Sequence, residues 1–302
     1  MAQDPLALPD LAVRSFGGAV VWANDELFAG RENLVTPGPA VFTPRTFGAK
    51  GQVYDGWETR RRRDLAAGDA DQAIVRLGAP GVVRAVVVDT SHFTGNFPTQ
   101  ASVDGVALEG APSVDTLRAA DWTPLVERSA LKGDTANVSP VYSPRRWTHV
   151  RLNNFPDGGV ARLRVHGEVV ADPRVVEALG TVDLAALELG GRVTGCSNLF
   201  YGSPARGSVR VVELDTTWFL GNAPGAAAVS AHDGDGRWSP LLPRTVLQPD
   251  TRHCFVLPEP AAAATDVRLD VYPDGGMARL RLWGTPTADG LAALQTRWDE
   301  TR

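Results

Sequence analysis

The sequence predicts an all-β protein made of two tandem jelly-roll β-sandwich repeats joined by short helices. Three observations carry that expectation: the chain states its motifs twice, its apolar residues recur mostly at strand period, and helical spacing is confined to the joints. Asp89-Thr90-Ser91-His92-Phe93-Thr94-Gly95-Asn96-Phe97-Pro98 returns as Asp215-Thr216-Thr217-Trp218-Phe219-Leu220-Gly221-Asn222-Ala223-Pro224. Pro156-Asp157-Gly158-Gly159-Val160-Ala161-Arg162-Leu163-Arg164-Val165 returns as Pro273-Asp274-Gly275-Gly276-Met277-Ala278-Arg279-Leu280-Arg281-Leu282. Two copies in one order mean a duplicated domain, since solenoid repeats are shorter and more numerous.

Taken in order, Gly17-Gly18 opens the first copy, and Val82 to Asp89 is a β-rich run ending at an Asp-Thr turn signal, hence a core strand. His149 to Asn153 leads through Pro156-Asp157-Gly158-Gly159 into Val160 to Val165, which reads as a hairpin whose glycines supply positive φ. Ala161, Leu163 and Val165 then face one way, and Arg162, Arg164 and His166 the other. Asp172 before Pro173 is a helix N-cap, with Gly180 as the stop, and the Leu- and Ala-rich stretch Val182 to Gly190 predicts a second short helix. Gly190-Gly191 opens the second copy, whose core strand is Ser208 to Asp215 and whose polar strand face carries Arg279, Arg281 and Trp283. Leu291, Leu294 and Trp298 at helical spacing predict a C-terminal helix packed on a sheet or a neighbouring subunit. The expected division is a first repeat at 1–170, a helical linker at 171–188, a second repeat at 189–286 and a terminal helix at 287–302.

With 302 residues, 43% hydrophobic and 22% charged, the chain can fill two ordinary cores. A net charge of -5 argues against a nucleic-acid partner, which selects a basic excess. Apolar runs are far shorter than a membrane span, and Met1-Ala2-Gln3-Asp4-Pro5 lacks the basic and apolar regions of a secretory signal, so a cytoplasmic location is expected. Cys196 and Cys254 are then expected as free, buried thiols. There is no phosphate-cradling Gly loop, no Gly-x-Ser-x-Gly elbow and no Cys pair at zinc spacing, and His149, His166, His232 and His253 are scattered. No metal and no cofactor are therefore expected.

Aligning the copies exposes an irregularity. Gly17 matches Gly190, an offset of 190 − 17 = 173, whereas Ala79 matches Ala205, an offset of 205 − 79 = 126, so the second copy lacks 173 − 126 = 47 residues. The missing counterpart reads as Glu32 to Gly78 with the join at Pro204-Ala205, and so includes the strand-like Ala73-Ile74-Val75-Arg76-Leu77. Losing a strand would leave a cavity or an open edge, so a further segment between Pro204 and Ala205 is expected in preference to a true deletion, which an intact peptide bond there would show.

The stretch with no counterpart carries the unusual chemistry. Gly48 to Asp64 contains four consecutive arginines, Arg60 to Arg63, interleaved with Asp55, Glu58 and Asp64. In an acidic chain this suits a small anion held by a guanidinium fork, with Trp57 as an apolar wall, or else a structural salt-bridge network. His92, just past a core strand and near Asn96, is the best titrating group, or a histidine satisfied structurally at a strand end; its counterpart is Trp218.

The phrases Phe47-Gly48-Ala49-Lys50-Gly51, Asp55-Gly56-Trp57-Glu58-Thr59-Arg60-Arg61-Arg62, His92-Phe93-Thr94-Gly95-Asn96 and Asn154-Phe155-Pro156-Asp157-Gly158-Gly159 together resemble the allantoicase (allantoate amidinohydrolase) family over nearly the whole chain. The resemblance implies a pair of jelly-roll (galactose-binding-like) repeats and hydrolysis of allantoate to ureidoglycolate and urea in purine degradation. Its implied partner is that small molecule, and a homo-oligomer is left open. His92, Asp55 and Glu58 are the resulting candidates for proton transfer. Lys50, Arg60, Arg61 and Arg162 are candidates for the substrate carboxylate, and Trp57, Asn96 and Asn154 for shape and ureido contacts. Losing the arginine segment from the second repeat leaves two further readings: a jelly-roll module that binds a small polar ligand or sugar, or a hydrolase of a related ureido acid.

Overall fold

The computed structural model describes residues 4–63, 70–195, 200–232, 238–259 and 264–302. It divides into two compact units, Met1–Val169 with Thr301–Arg302, and Val170–Glu300. In the first unit, β1 (Ala19–Ala23), the short strands β2 (Phe47–Gly48) and β3 (Gly51–Gln52), and β4 (Trp57–Glu58) precede the long strand β5 (Asp71–Asp89). There follow β6 (Gln100–Val106), helix α1 (Val114–Arg118), β7 (Thr123–Ala130), β8 (Ala136–Pro140), β9 (Arg146–Phe155), β10 (Gly159–Val160) and β11 (Arg162–Val169).

Strand β5 serves both layers of the sandwich. Its first part lies between β1 and β9, and its second part between β8 and β11; the register against β9 shifts between Arg76 and Gly81. Strands β6 and β7 extend the first layer beyond β9. Inward residues two apart, Ala73, Val75 and Leu77 on the first part, Val86 and Val88 on the second, meet Val150, Leu152, Leu163 and Val165 in one core. The expected alternation about Leu163 holds, with Arg162 and Arg164 on the opposite face.

The expected hairpin between His149 and Val165 is not formed. Strands β9 and β11 each pair with β5, in different layers, so residues 156–161 carry the chain across the sandwich. A long bent strand offers two separate edges, and turn residues alone do not reveal which edge the next strand takes.

In the second unit, α2 (Pro173–Leu179) is capped by Asp172, which accepts from the Arg174 N–H, and ends at Gly180, as expected. No second helix follows. Val182–Asp183 is a short strand, β12, and Leu187–Leu189 a single 3-10 turn, because the Asp183 carboxylate accepts from Leu282 N and Ala185 N and ties the chain to a sheet. The sandwich comprises β13 (Arg192–Gly195), β14 (Phe200–Asp215), β15 (Ala226–His232), β16 (Trp238–Val246), β17 (Arg252–Val256), β18 (Ala264–Tyr272) and β19 (Arg279–Pro286). Its core includes Val209, Val212, Leu214, Leu280 and Leu282. Helix α3 (Ala288–Thr301) buries Leu294 against Val176 of α2.

Hydrogen-bond register also corrects where the second repeat is shorter. Ala19 pairs with Arg76 and Trp22 with Ile74, while Arg192 pairs with Gly202 and Gly195 with Phe200, each set with a bulge at the same place. The whole strand from Ile74 onward therefore has a counterpart, and β14 runs unbroken through Pro204 and Ala205. The 47-residue difference falls between Trp22 and Ile74, where 74 − 22 = 52, against Gly195 and Phe200, where 200 − 195 = 5. The second repeat lacks a covering segment and keeps its strand. Residue identity around Pro204 was too sparse to fix the register that the ladder fixes.

Cys254 is a free, exposed thiol on β17, not a buried one, because its strand position faces outward; Cys196 lies outside the described residues. Among the described residues, no helix is long and apolar enough to cross a membrane.

Candidate functional site

The turns after β5 and β14 are built alike. His92 and Trp218 both take positive φ, 69° and 73°, and their backbone N–H groups donate to Asp134 at 2.8 Å and Asp250 at 2.9 Å. Thr90 and Thr216 each cap the opposing loop through Oγ1. Phe93 and Phe219 lie over Gly159 and Gly276 so closely that a Cβ on either glycine would sit 2.0 Å from a ring carbon. These features recur in both repeats and so belong to the fold. What differs is what lies over them.

In the first repeat, the segment from Asn24 to Arg63 covers the end of the sandwich. Strand β4 pairs through Trp57 and Glu58 with Val160 and Gly159, its other edge bonds Ala29, and Asn33 Nδ2 donates to the Gly56 carbonyl. Gly56 is required here, since a Cβ would meet the Phe93 ring and the Val160 carbonyl at 2.7 Å. The Arg162 guanidinium, only 1% exposed, donates to Asp55 Oδ2 at 2.6 Å and to the Asp55 carbonyl at 3.0 Å. Its equivalent in the second repeat, Arg279, is exposed. At this position the strand is thus buried where the segment exists and exposed where it does not, whereas two residues on Arg164 and Arg281 are both half-buried.

Two linked groups of side chains result. In one, Glu58 accepts from Asn96 Nδ2 at 2.7 Å, and Arg61 donates to Asp157 at 2.9 Å and to the Gly95 carbonyl at 3.0 Å. Arg62 donates its backbone N–H to the other Asp157 oxygen and its guanidinium to Asp71. In the other, Asp55 holds Arg162 and accepts the Val41 N–H, and His92 Nε2 lies 3.2 Å from the Ala40 carbonyl. A carbonyl only accepts, so that bond puts the proton on Nε2 and leaves Nδ1 of the neutral ring with a lone pair. Residues His92 to Asn96 join the groups; the Phe42 ring stacks on His92, and Tyr54 stacks between Phe42 and Phe93.

The electrostatics set the carboxyls apart. Burial pushes Glu58 above the usual carboxylate range, and the Asn96 hydrogen bond and Arg61 charge offset it only partly. Burial also raises Asp55, but the Arg162 and Val41 hydrogen bonds and the Arg162 and His92 charges outweigh it and hold its carboxyl below the usual range. Glu58 therefore has the higher proton affinity of the two and Asp55 the lower, a division suited to acid–base chemistry.

Of the residues expected at a site, Asp55, Glu58, Arg61, His92 and Asn96 come together at this end of the repeat. Arg162 backs them from below, with its charge spent on Asp55. Trp57 is fully buried, with Nε1 donating to the Asp25 carbonyl at 2.7 Å, so it is a core residue and not an open apolar wall. Arg60 turns outward to Asp25, and Lys50 Nζ donates to the Glu26 carbonyl from the β2–β3 hairpin. Asn154 is completely buried, and neither of its amide atoms has a hydrogen-bond partner. Leaving such groups unpaired costs about 1–3 kcal/mol each. Sequence reasoning missed Asp157, 2% exposed, whose Pro-Asp-Gly-Gly setting reads only as a turn, and Asp71, 2% exposed, the partner of Arg62. The excess of arginines over nearby acids was the available signal for both. Among the described residues, no three His, Cys, Asp or Glu side chains are grouped to hold a metal ion.

The allantoicase repeat family model matches residues 9–170 and 204–287. A probable allantoicase of Nocardia farcinica is 51% identical, with 92% of this chain and 94% of that protein covered. A probable allantoicase of Streptomyces coelicolor is 49% identical, with 96% and 89% covered. The crystal structure of allantoicase from Saccharomyces cerevisiae is 26% identical and superposes with a TM-score of 0.74, covering 91% of this chain and 92% of its own.

Proposed function

The chain belongs to the allantoicase family, and from that premise we propose that it is a hydrolase that converts allantoate to ureidoglycolate and urea in purine degradation. Allantoate carries one carboxylate and two ureido groups on a single carbon. Its hydrolysis breaks the bond from that carbon to one ureido nitrogen and forms a bond from the carbon to a water oxygen. The departing nitrogen needs a proton and the entering water must lose one, so the site needs an acid and a base of different proton affinity.

The observation that carries the reading is Glu58, a carboxyl kept toward its neutral form by burial while hydrogen-bonded by Asn96 and facing the charge of Arg61. Glu58 donates to the leaving ureido nitrogen, so urea departs neutral. His92 Nδ1 accepts the proton of the entering water, and the ionised Asp55 stabilises the imidazolium that forms. Arg61, with 58% of its side chain exposed, supplies guanidinium donors to the substrate carboxylate beside Asp157 and the Gly95 carbonyl.

Urea release from allantoate by the purified protein tests the reading, with ureidoglycolate as the competing substrate. Glu58→Gln should lower kcat by roughly 10²–10⁴, the usual worth of a general acid. His92→Ala and Arg61→Ala should each lower kcat/KM by about tenfold or more without unfolding the chain. Because the acid form of Glu58 is the active one, wild-type kcat falls as pH rises through its raised pKa, and Glu58→Gln loses that limb. No urea from allantoate, or wild-type turnover by Glu58→Gln, refutes the assignment.

A further inference from the structure

Among the described residues, the buried side-chain polar atoms without a hydrogen-bond partner include Trp147 Nε1, Arg162 Nε and three that belong to one pair of residues, Asp71 Oδ2 and both amide atoms of Asn154. These three are neighbours. Asp71 and Asn154 are directly opposed across the β5–β9 ladder, so their side chains rise from the same face. On the other side of β9, Asn154 is opposed by Ala101, which has no polar atom to offer. All the bonds of the Asp71 carboxylate fall on one oxygen: Oδ1 accepts from Asn24 Nδ2 at 2.7 Å and from Arg62 at 2.7 and 2.9 Å.

The fold does not ask for this arrangement. The position of Asn154 in the second repeat, 154 + 117 = 271, is Val271, opposed by Ala227 as Asn154 is by Ala101. Where the covering segment is absent, a valine suffices. Where it is present, an asparagine stands without partners beside a half-used carboxylate. Buried groups left so call for an occupant that completes them.

Two acceptors, Asp71 Oδ2 and Asn154 Oδ1, and one donor, Asn154 Nδ2, make the complement of a ureido group, which offers two N–H directions and one carbonyl oxygen. We propose that Asp71 and Asn154 form a ureido-binding subsite, in which the substrate carbonyl accepts from Asn154 Nδ2 and its N–H groups donate to Asn154 Oδ1 and Asp71 Oδ2. The proposal rests on the hydrolase reading for its substrate but not for its chemistry. Arg62, whose side chain is 25% exposed, bonds Asp71. The three atoms are buried in this structure, so occupancy of the subsite requires Arg62 to be displaced from Asp71. Asp71 and Asn154 then act as specificity residues that hold a ureido arm while Glu58 and His92 move protons.

Calorimetry with hydantoate, a carboxylate bearing one ureido group, tests the subsite directly, alongside steady-state kinetics on allantoate. Asn154→Val, the second repeat's own residue, and Asn154→Ser should each weaken hydantoate binding and raise the allantoate KM by about tenfold or more, the loss expected when a ligand's hydrogen-bonding groups meet no partner. For Asn154→Val the melting temperature should hold or rise, because an unpaired polar side chain has been replaced by an apolar one. Should one variant fail to fold, the other decides. Unchanged hydantoate affinity in a folded variant overturns the subsite, as does failure of the wild-type protein to bind hydantoate. Binding of hydantoate that Asn154→Val abolishes, without turnover of allantoate by the wild type, sinks the hydrolase reading and leaves the subsite standing.

Discussion

Arg162 and Arg279 occupy equivalent places 279 − 162 = 117 residues apart, each opposed to the last aspartate of its long strand. Replacing each by alanine therefore compares one position in two settings. Arg162 is 1% exposed and bound to Asp55, whose side chain is 28% exposed. Removing one member of a buried ion pair costs about 3–5 kcal/mol, because the survivor is left unpaired. Partial solvent access to Asp55 reduces that to about 2–4 kcal/mol, since water replaces some of the lost donors. Arg279 is exposed, so its truncation should stay within about 0.5 kcal/mol. For a unit of this size, about 3 kcal/mol corresponds to a fall of roughly 6–12 °C in melting temperature. Scanning calorimetry of the two variants beside the wild type checks this. A fall for Arg279→Ala as large as for Arg162→Ala would show that the covering segment does not create the difference, and the account of the site would fail with it.

Two further outcomes follow from the same geometry. His149 is buried, and burial, helped by the Arg76 charge and opposed by Glu109, lowers its pKa from 6.5 to about 4. The native state thus refuses a proton that the unfolded chain accepts, so stability is lost as pH falls from about 6.5 toward 4, by about 2.5 kcal/mol at pH 4.5. His149→Gln should flatten that part of the melting-temperature profile, and an unaltered slope would rule His149 out. Gly159→Ala and Gly276→Ala each drive a Cβ to 2.0 Å from a phenylalanine ring, so both should destabilise their own repeat, measured by urea unfolding; tolerance of either would mean the ring is free to move.

The duplicated sandwich was legible because its signals are local and stated twice. Strand alternation around Leu163 and Leu280, and the caps at Asp172 and Gly180, need only neighbouring residues to be read. The hairpin assigned to β9 and β11 failed because pairing is set by the bend in β5, a property of a strand more than sixty residues earlier. The helix assigned to Val182 to Gly190 failed because Asp183 finds its donors on β19 and beside it, a tertiary bond that composition does not show. Within the site, residue types were legible and geometry was not. Four adjacent arginines announce that carboxylates must be near, yet Asp157 and Asp71 lie far along the chain from some of their partners, and Trp57, which looks like a ligand wall by its company, is held in the core by the Asp25 carbonyl.

Duplication turns the molecule into its own control. A residue in an unusual conformation invites a functional reading, and positive φ at His92 is such an invitation. Trp218 has the same φ, the same aspartate cap and no partner segment, so the strained turn is a property of the fold and says nothing about chemistry. The features without a counterpart are the informative ones: a carboxyl desolvated at Glu58, an ionised carboxylate at Asp55, a buried guanidinium at Arg162 and an unpartnered amide at Asn154. Arg162 and Asn154 carry costs that the second repeat avoids at the equivalent places with an exposed arginine and a valine, and Asp55 and Glu58 stand on the segment that it lacks. Costs confined to one copy of a duplicated scaffold mark where function, and not folding, has set the sequence.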